Sequence, residues 1–129
     1  MENSIEWERL SEIAWKVRDN AHIYGDTKVG AALVTSNGKF FAGCNVEHIF
    51  RSHDFHAETN AIGNMVAGGE KRVIAILVVA RRDNFTPCGG CMDWIFQFGG
   101  GECQVAFQAE PNGPIVHFTA KELMPHYPS

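Results

Sequence analysis

His56-Ala57-Glu58 and, further along, Pro87-Cys88-Gly89-Gly90-Cys91 are the residues of this chain whose types and spacing can do chemistry. One imidazole and two thiolates can hold Zn2+ in a tetrahedral set that leaves a fourth position open for water, and a carboxylate two residues from the imidazole can move that water's protons. Such a set suits a hydrolytic zinc centre. Each half alone has ordinary explanations: a lone C-x-x-C serves as a redox pair or as half of a structural zinc site, and a lone histidine usually belongs to the surface or the core. A structural site would also ask for a fourth protein ligand. Cys44 and Cys103 are the thiols available for that role. Cys44 lies in an apolar, strand-like run and Cys103 follows a glycine cluster, and neither belongs to a second C-x-x-C. Both read as small buried hydrophobes.

These groups must be placed by helices. Pro87 is expected in the first turn of a helix, with Cys88 and Cys91, three apart, on one face where they can grip a single ion. The positive end of that helix is expected to favour thiolate over thiol. Gly89 and Gly90 leave the backbone uncrowded between the sulfurs. Ala57 to Ile62 reads as a second helix start, with Glu58 in its first turn, so that His56 and Glu58 project into one pocket beside the cysteines.

Along the rest of the chain, Leu10, Ile13, Ala14 and Val17 recur at helical spacing and predict an amphipathic helix over 4–20. Residues 29–35 and 39–46, joined by Ser36-Asn37-Gly38, predict a β-hairpin. The helix after His56 should stop at Gly68-Gly69. Residues 73–80 form a continuous apolar, β-branched run, the pattern of a strand covered on both faces and therefore central in a sheet. The cysteine helix covers 88–98, two strands cover 104–109 and 115–118, and a last short helix covers 120–124. The order α-β-β-α-β-α-β-β-α predicts an α/β fold, a three-layer α-β-α arrangement around a mixed five-stranded sheet. In it, the helices before and after the central strand would bring their N-termini, and the zinc ligands, together.

At 129 residues the chain reads as one domain over 1–129. Residues 1–20 contain no charged-then-apolar leader and no apolar run is long enough to span a bilayer, so a cytosolic protein without a membrane partner is expected. Two of the four cysteines sit in a metal-spaced pair, which fits a reducing compartment. The net charge of -4 argues against nucleic acid as a partner, because affinity for polyphosphate comes mostly from lysine and arginine. Lys71, Arg72, Arg81 and Arg82 flank the central apolar run and read as its solvated ends.

H-x-E with P-C-x-x-C is a signature of zinc deaminases, and the chain resembles the cytidine deaminase family, in particular its small homotetrameric branch, which includes the blasticidin S deaminases. The resemblance extends in order over Val29-Gly30-Ala31-Ala32-Leu33, Gly43-Cys44-Asn45-Val46-Glu47, the His56 motif, Pro87 to Cys91, and Glu122-Leu123-Met124-Pro125. It implies that His56, Cys88 and Cys91 bind Zn2+, that Glu58 shuttles protons, and that Asn45 and Glu47 hold ribose hydroxyls, roles that a turn residue and a solvated carboxylate would not suggest on their own. Thr27, Phe55 and Ala57 are implied as further substrate contacts, with Phe50 and Phe85 as other rings able to stack on a pyrimidine. The implied activity is hydrolytic deamination of cytidine or 2′-deoxycytidine, with a homotetramer as the assembly. The alternatives are deamination of another aminated heterocycle, such as a nucleoside antibiotic or an N4-modified cytosine nucleoside, and a non-catalytic zinc-binding module.

Three departures stand out. The small branch usually has cysteine where His56 stands, and arginines where Thr59 and Met92 stand. One imidazole with two thiolates leaves a neutral zinc core, which needs no neighbouring cations, whereas three thiolates leave a negative one that profits from them. Thr27 occupies a position where the family commonly places an aromatic residue beside the pyrimidine. The loop from Ile49 to Phe55 carries charges, and Arg51 and His53 are candidates to meet an anionic group on a modified substrate.

Overall fold

The computed structural model describes residues 4–128. Helix α1 (Trp7–Arg18) is followed by strands β1 (Gly30–Thr35) and β2 (Phe40–Cys44), a 3-10 turn at Arg51–His53, helix α2 (Ala57–Ala67), strand β3 (Val73–Val79), helix α3 (Gly89–Gly99), strands β4 (Gln104–Gln108) and β5 (Ile115–Thr119), and helix α4 (Ala120–Leu123). The strands form one sheet in the order β2-β1-β3-β4-β5. Only β3 and β4 run parallel, since α3 carries the chain back between them, and the other pairs are antiparallel. This is the expected mixed sheet.

Strand alternation divides the core into two layers. Ala32 and Val34 of β1 and Ala75, Leu77 and Val79 of β3 face Leu10 and Ala14 of α1. Their neighbours Ala31, Leu33, Ile76 and Val78 face the other way, onto Ala57, Ala61, Ile62 and Met65 of α2 and Met92 and Ile95 of α3. Buried on both sides, β3 is the continuous apolar strand that its composition implies.

Helix α2 is drawn tightly onto the sheet at its edge. A Cβ on Gly43 would overlap the backbone nitrogen of Ala61 and the carbonyl of Ala57, so only glycine permits this approach. Asn60 Oδ1 accepts the outward N–H of Cys44 at 3.0 Å, and Asn64 Nδ2 donates to the carbonyl of Ala42 at 2.7 Å. Two amides one turn apart thus satisfy the edge of β2 and fix the height of α2. The helix ends at Ala67, the chain passes through Gly68 and Gly69 to the start of β3, and α3 begins beyond the end of that strand. Both helices therefore start at the carboxyl end of the central strand.

Some boundaries differ from expectation. Strand β2 ends at Cys44, and Val46 instead forms isolated bridges with His22 and Phe55, because Asn45 turns inward to bond the backbone of residues 27–29. Pro87 stands outside α3. Cys88 has an extended backbone (φ -72°, ψ 171°) and is the N-cap, so the first helical residue is Gly89. Helix α1 starts at Trp7, without a side-chain cap.

Candidate active site

His56 is the N-cap of α2 and Cys88 the N-cap of α3, and neither spends its side chain on capping its helix. A residue at this position ordinarily bonds the first free amides. Here both side chains turn towards each other across the gap between the helices. His56 Nδ1 lies 3.2 Å from Cys91 Sγ and 3.4 Å from Cys88 Sγ, and the three donor atoms all fall within 4.8 Å of one another. Tetrahedral zinc, with bonds of about 2.0 Å to nitrogen and 2.3 Å to sulfur, sets nitrogen-to-sulfur separations of roughly 3.5 Å. The donor set fits that ion. Among the described residues no other group of three or more histidine, cysteine, aspartate or glutamate side chains is arranged to hold a metal. Cys44 and Cys103 are unpaired and lie outside it.

Glu58, one residue into α2 from Ala57, is 4% exposed. Burial pushes its carboxyl above the ordinary range, and a backbone N–H, the charge of His56 and a hydrogen bond with Cys91 only partly oppose this. Cys91 lies within hydrogen-bond reach of Glu58. Burial drives its thiol well up, the negative charges of Glu58 and Cys88 add to the effect, and the N–H of Thr59 alone opposes it. A cation held by the three donors would oppose these effects and favour the thiolate.

His56, Glu58 and Cys88 stand in the wall of a cavity of about 490 Å³, a volume suited to a small organic molecule. Asn45, Glu47, Thr27, Phe55 and Ala57 all line it, together with His56, Glu58 and Cys88. Asn45 and Glu47 arrive with much of their bonding taken. Asn45 Oδ1 accepts the N–H of Val29 at 2.9 Å and its amide donates to the carbonyl of Thr27 at 3.0 Å. Glu47 Oε1 accepts the N–H groups of Tyr24 and Gly25 at 2.6 and 2.8 Å. One amide N–H of Asn45 and lone pairs of Glu47 Oε2 remain for a ligand.

The charged loop is divided. Arg51 reaches the cavity, with its guanidinium already paired to Glu47 (3.0 Å) and Asp54 (2.9 Å). An anionic ligand would have to displace those carboxylates. His53 does not line the cavity and packs against His48 and Phe50. Phe50 is outside as well, stacked on His48, whereas Phe55 and Phe85 both line the wall. Met92 is buried in the core, and Thr59 bonds the carbonyl of His56.

Arg82 reads from sequence as the solvated end of a strand, yet it lines the cavity, with its guanidinium 5.9 Å from the centre of the Phe85 ring. The signal for it is its place just past the carboxyl end of β3, where ligands gather in sheets of this kind. Gly25 and Asp26 also line the wall. Nothing local marks them; the carboxylate of Glu47 holds their segment there.

Comparison with known proteins gives a consistent result. The family model for the cytidine and deoxycytidylate deaminase zinc-binding region matches residues 5–107. The cytidine deaminase of Sporosarcina psychrophila is 32% identical over 120 residues, covering 92% of this chain and 88% of that protein. A probable cytidine deaminase of Dictyostelium discoideum is 37% identical over 100 residues, covering 75% and 68%. Among solved structures, the cytidine deaminase of Burkholderia pseudomallei superposes with a TM-score of 0.86 at 32% identity, covering 95% of this chain and 98% of that one.

Proposed function

The chain belongs to the cytidine deaminase family, and on that premise we propose that it hydrolyses the exocyclic amine of cytidine or 2′-deoxycytidine, with Zn2+ held by His56, Cys88 and Cys91 and Glu58 as the proton carrier. The observation that carries this reading is the convergence of His56 Nδ1 on both sulfurs beside a buried Glu58, with His56, Glu58 and Cys88 in the wall of a cavity large enough for a nucleoside.

Bound zinc supplies Lewis acidity, which lowers the pKa of water and lets it act as a nucleophile at neutral pH. Everything else falls to the chain. Glu58 takes a proton from the attacking water and delivers it to ring N3 as C4 becomes tetrahedral; it takes the second proton and passes it to the departing amine, so that ammonia leaves and the 4-oxo product remains. One carboxyl group thus serves as base and then as acid. A single carboxyl buried beside the metal-binding side chains suits both roles, since one group can serve the attacking water, ring N3 and the departing amine in turn. Ala57, fully buried beside it, closes the wall without competing polar groups. Phe55 and Phe85 offer apolar faces to the pyrimidine where Thr27 offers none. The free N–H of Asn45 and lone pairs of Glu47 Oε2 receive a sugar hydroxyl.

We also infer that one domain carries the activity and that the protein assembles as a homotetramer in the cytosol, serving pyrimidine salvage. Support for assembly comes from α2 and α3, whose outer faces leave Val66 and Trp94 43% and 47% exposed, with Trp94 stacked on Phe98. Four unpaired cysteines fit a reducing compartment. Among the described residues no helix is long and apolar enough to cross a membrane.

Ammonia release over a panel of cytosine, adenine and guanine nucleosides, nucleotides and free bases tests the substrate. Turnover confined to cytosine nucleosides is expected. Activity on free cytosine alone, or zinc retention without turnover of any compound, would overturn the assignment.

A further inference from the structure

We propose that Arg51, locked by Asp54, is a positioning residue that sets the plane of the Glu47 carboxylate for a sugar hydroxyl. This rests on the reading that Glu47 receives such a hydroxyl.

The geometry of Glu47 poses the problem that Arg51 solves. Both backbone donors, Tyr24 N–H and Gly25 N–H, bond the same oxygen, Oε1. Two bonds to one atom fix a point and leave the carboxylate free to turn about it. Among the described residues, Oε2, the oxygen with capacity for a ligand, is held by a single contact: Arg51 Nη2 at 3.0 Å. Arg51 is itself tied down, because its Nε donates to Asp54 Oδ2 at 2.9 Å, and Asp54 Oδ1 accepts the N–H of His48 at 2.7 Å. Orientation is thus passed from the backbone of the loop, through a carboxylate and a planar guanidinium, to the second oxygen of Glu47.

The chemistry requires arginine. A guanidinium presents donors in fixed directions and can meet two carboxylates at once, whereas an ammonium is a point charge on a flexible stem. Folding gains little from the arrangement, since the Arg51 side chain is 55% exposed and pairs of that kind contribute weakly to stability. All three members line the cavity. Its consequence is confined to the ligand.

The test uses the zinc-loaded enzyme and its variants Arg51→Met, Arg51→Lys, Asp54→Asn and Glu47→Gln. Two readouts are compared: kcat and KM for cytidine against 2′,3′-dideoxycytidine, and calorimetric binding of the products uridine and 2′,3′-dideoxyuridine. Arg51→Met should weaken uridine and raise the KM for cytidine about tenfold or more, with kcat and both dideoxy ligands changed by less than about threefold, the pattern of a lost hydroxyl contact to a charged group. Arg51→Lys should not restore the wild-type values, and Asp54→Asn should act in the same direction more weakly. Equal losses on hydroxylated and dideoxy ligands, or no loss on either, would overturn the proposal. If Glu47→Gln is selective for hydroxylated ligands and Arg51→Met is not, the positioning role alone falls. If Glu47→Gln shows no selectivity, the hydroxyl reading falls and the proposal with it. Should Arg51→Met fail to fold, Asp54→Asn and Arg51→Lys decide the question by the same ratios.

Discussion

Glu58 and Glu70 are both buried, at 4% and 8% exposure, yet their carboxyl groups are driven in opposite directions. Glu70 sits after α2 and is met by a hydrogen bond from Thr35, by the Asn37 amide at 3.1 Å and by the Lys39 ammonium at 3.9 Å, and its carboxyl is lowered. It ties the β1–β2 turn to the end of α2. Glu58 sits at the other end of the same helix. Burial dominates there, its partners offset it only in part, and the carboxyl is raised. The difference teaches that low surface exposure alone does not decide the state of a carboxyl: Glu58 lies deep and short of donors, whereas Glu70 lies shallow and is met by them. A glutamate fully supplied with donors is a structural tie, and one left short of them retains affinity for a proton.

Substitutions can break or sharpen this contrast, and the largest effect is expected beside Glu58. Cys91 and Cys103 are buried thiols with raised pKa values, the latter pushed up to about 12 by burial, but only Cys91 faces His56 and Cys88. Cys91→Ser should empty the site and abolish turnover, while Cys44→Ala with Cys103→Ala keeps one zinc per chain. Metal analysis checks both. Loss of zinc from the double variant would mean that the donor set had been misassigned.

Next in size is the pair of glutamates itself. Glu58→Gln should retain zinc and lose turnover on the order of a thousandfold, within the range that general acid-base roles supply, whereas Glu70→Gln should stay within a few-fold of wild type. A Glu58→Gln enzyme keeping a third of the wild-type rate would remove the distinction between the two sites.

Glu47 stands between these extremes, since it is bonded like Glu70 and faces the cavity like Glu58. Glu47→Ala should lower kcat/KM on cytidine by about 10² or more, the scale of a buried polar group left without its hydroxyl, and leave any activity on free cytosine nearly unchanged. Equal losses on both would make Glu47 a structural tie.

The smallest effects concern stability, and here the signs oppose. Glu70 is lowered from 4.5, so its stabilisation is present above that pH and is lost as pH falls through its folded value. Glu58 is raised from 4.5, so its contribution is present below that pH and is lost as pH rises through its folded value. At pH 7, Glu70→Gln should lower the Tm of the metal-free protein and Glu58→Gln should raise it. Denaturation curves on both sides of pH 4.5 should show opposite pH trends for the two variants relative to wild type. Parallel trends would contradict the assigned environments.

Much of this protein is determined by patterns that act over a few residues. The spacing of Cys88 and Cys91, the pairing of His56 with Glu58, the turn at Asn37-Gly38 and the apolar run of β3 all report local geometry, which a sequence carries directly. They suffice for the element order, the mixed sheet and the zinc-binding set. Helix boundaries were legible to within three residues, and Pro87 fell outside α3 because the backbone of Cys88, which the spacing alone does not specify, is extended. Tertiary structure decided what depends on distant groups. It placed Arg82 in the cavity wall and His53 outside it, because loop paths follow from packing and not from composition. It turned Arg51 from a candidate anion receptor into a partner of Glu47 and Asp54. It also set the surroundings of Cys91, where burial and the charges of Glu58 and Cys88 raise the thiol and the N–H of Thr59 lowers it, because such a shift sums contributions from α2 and α3 that only folding brings together.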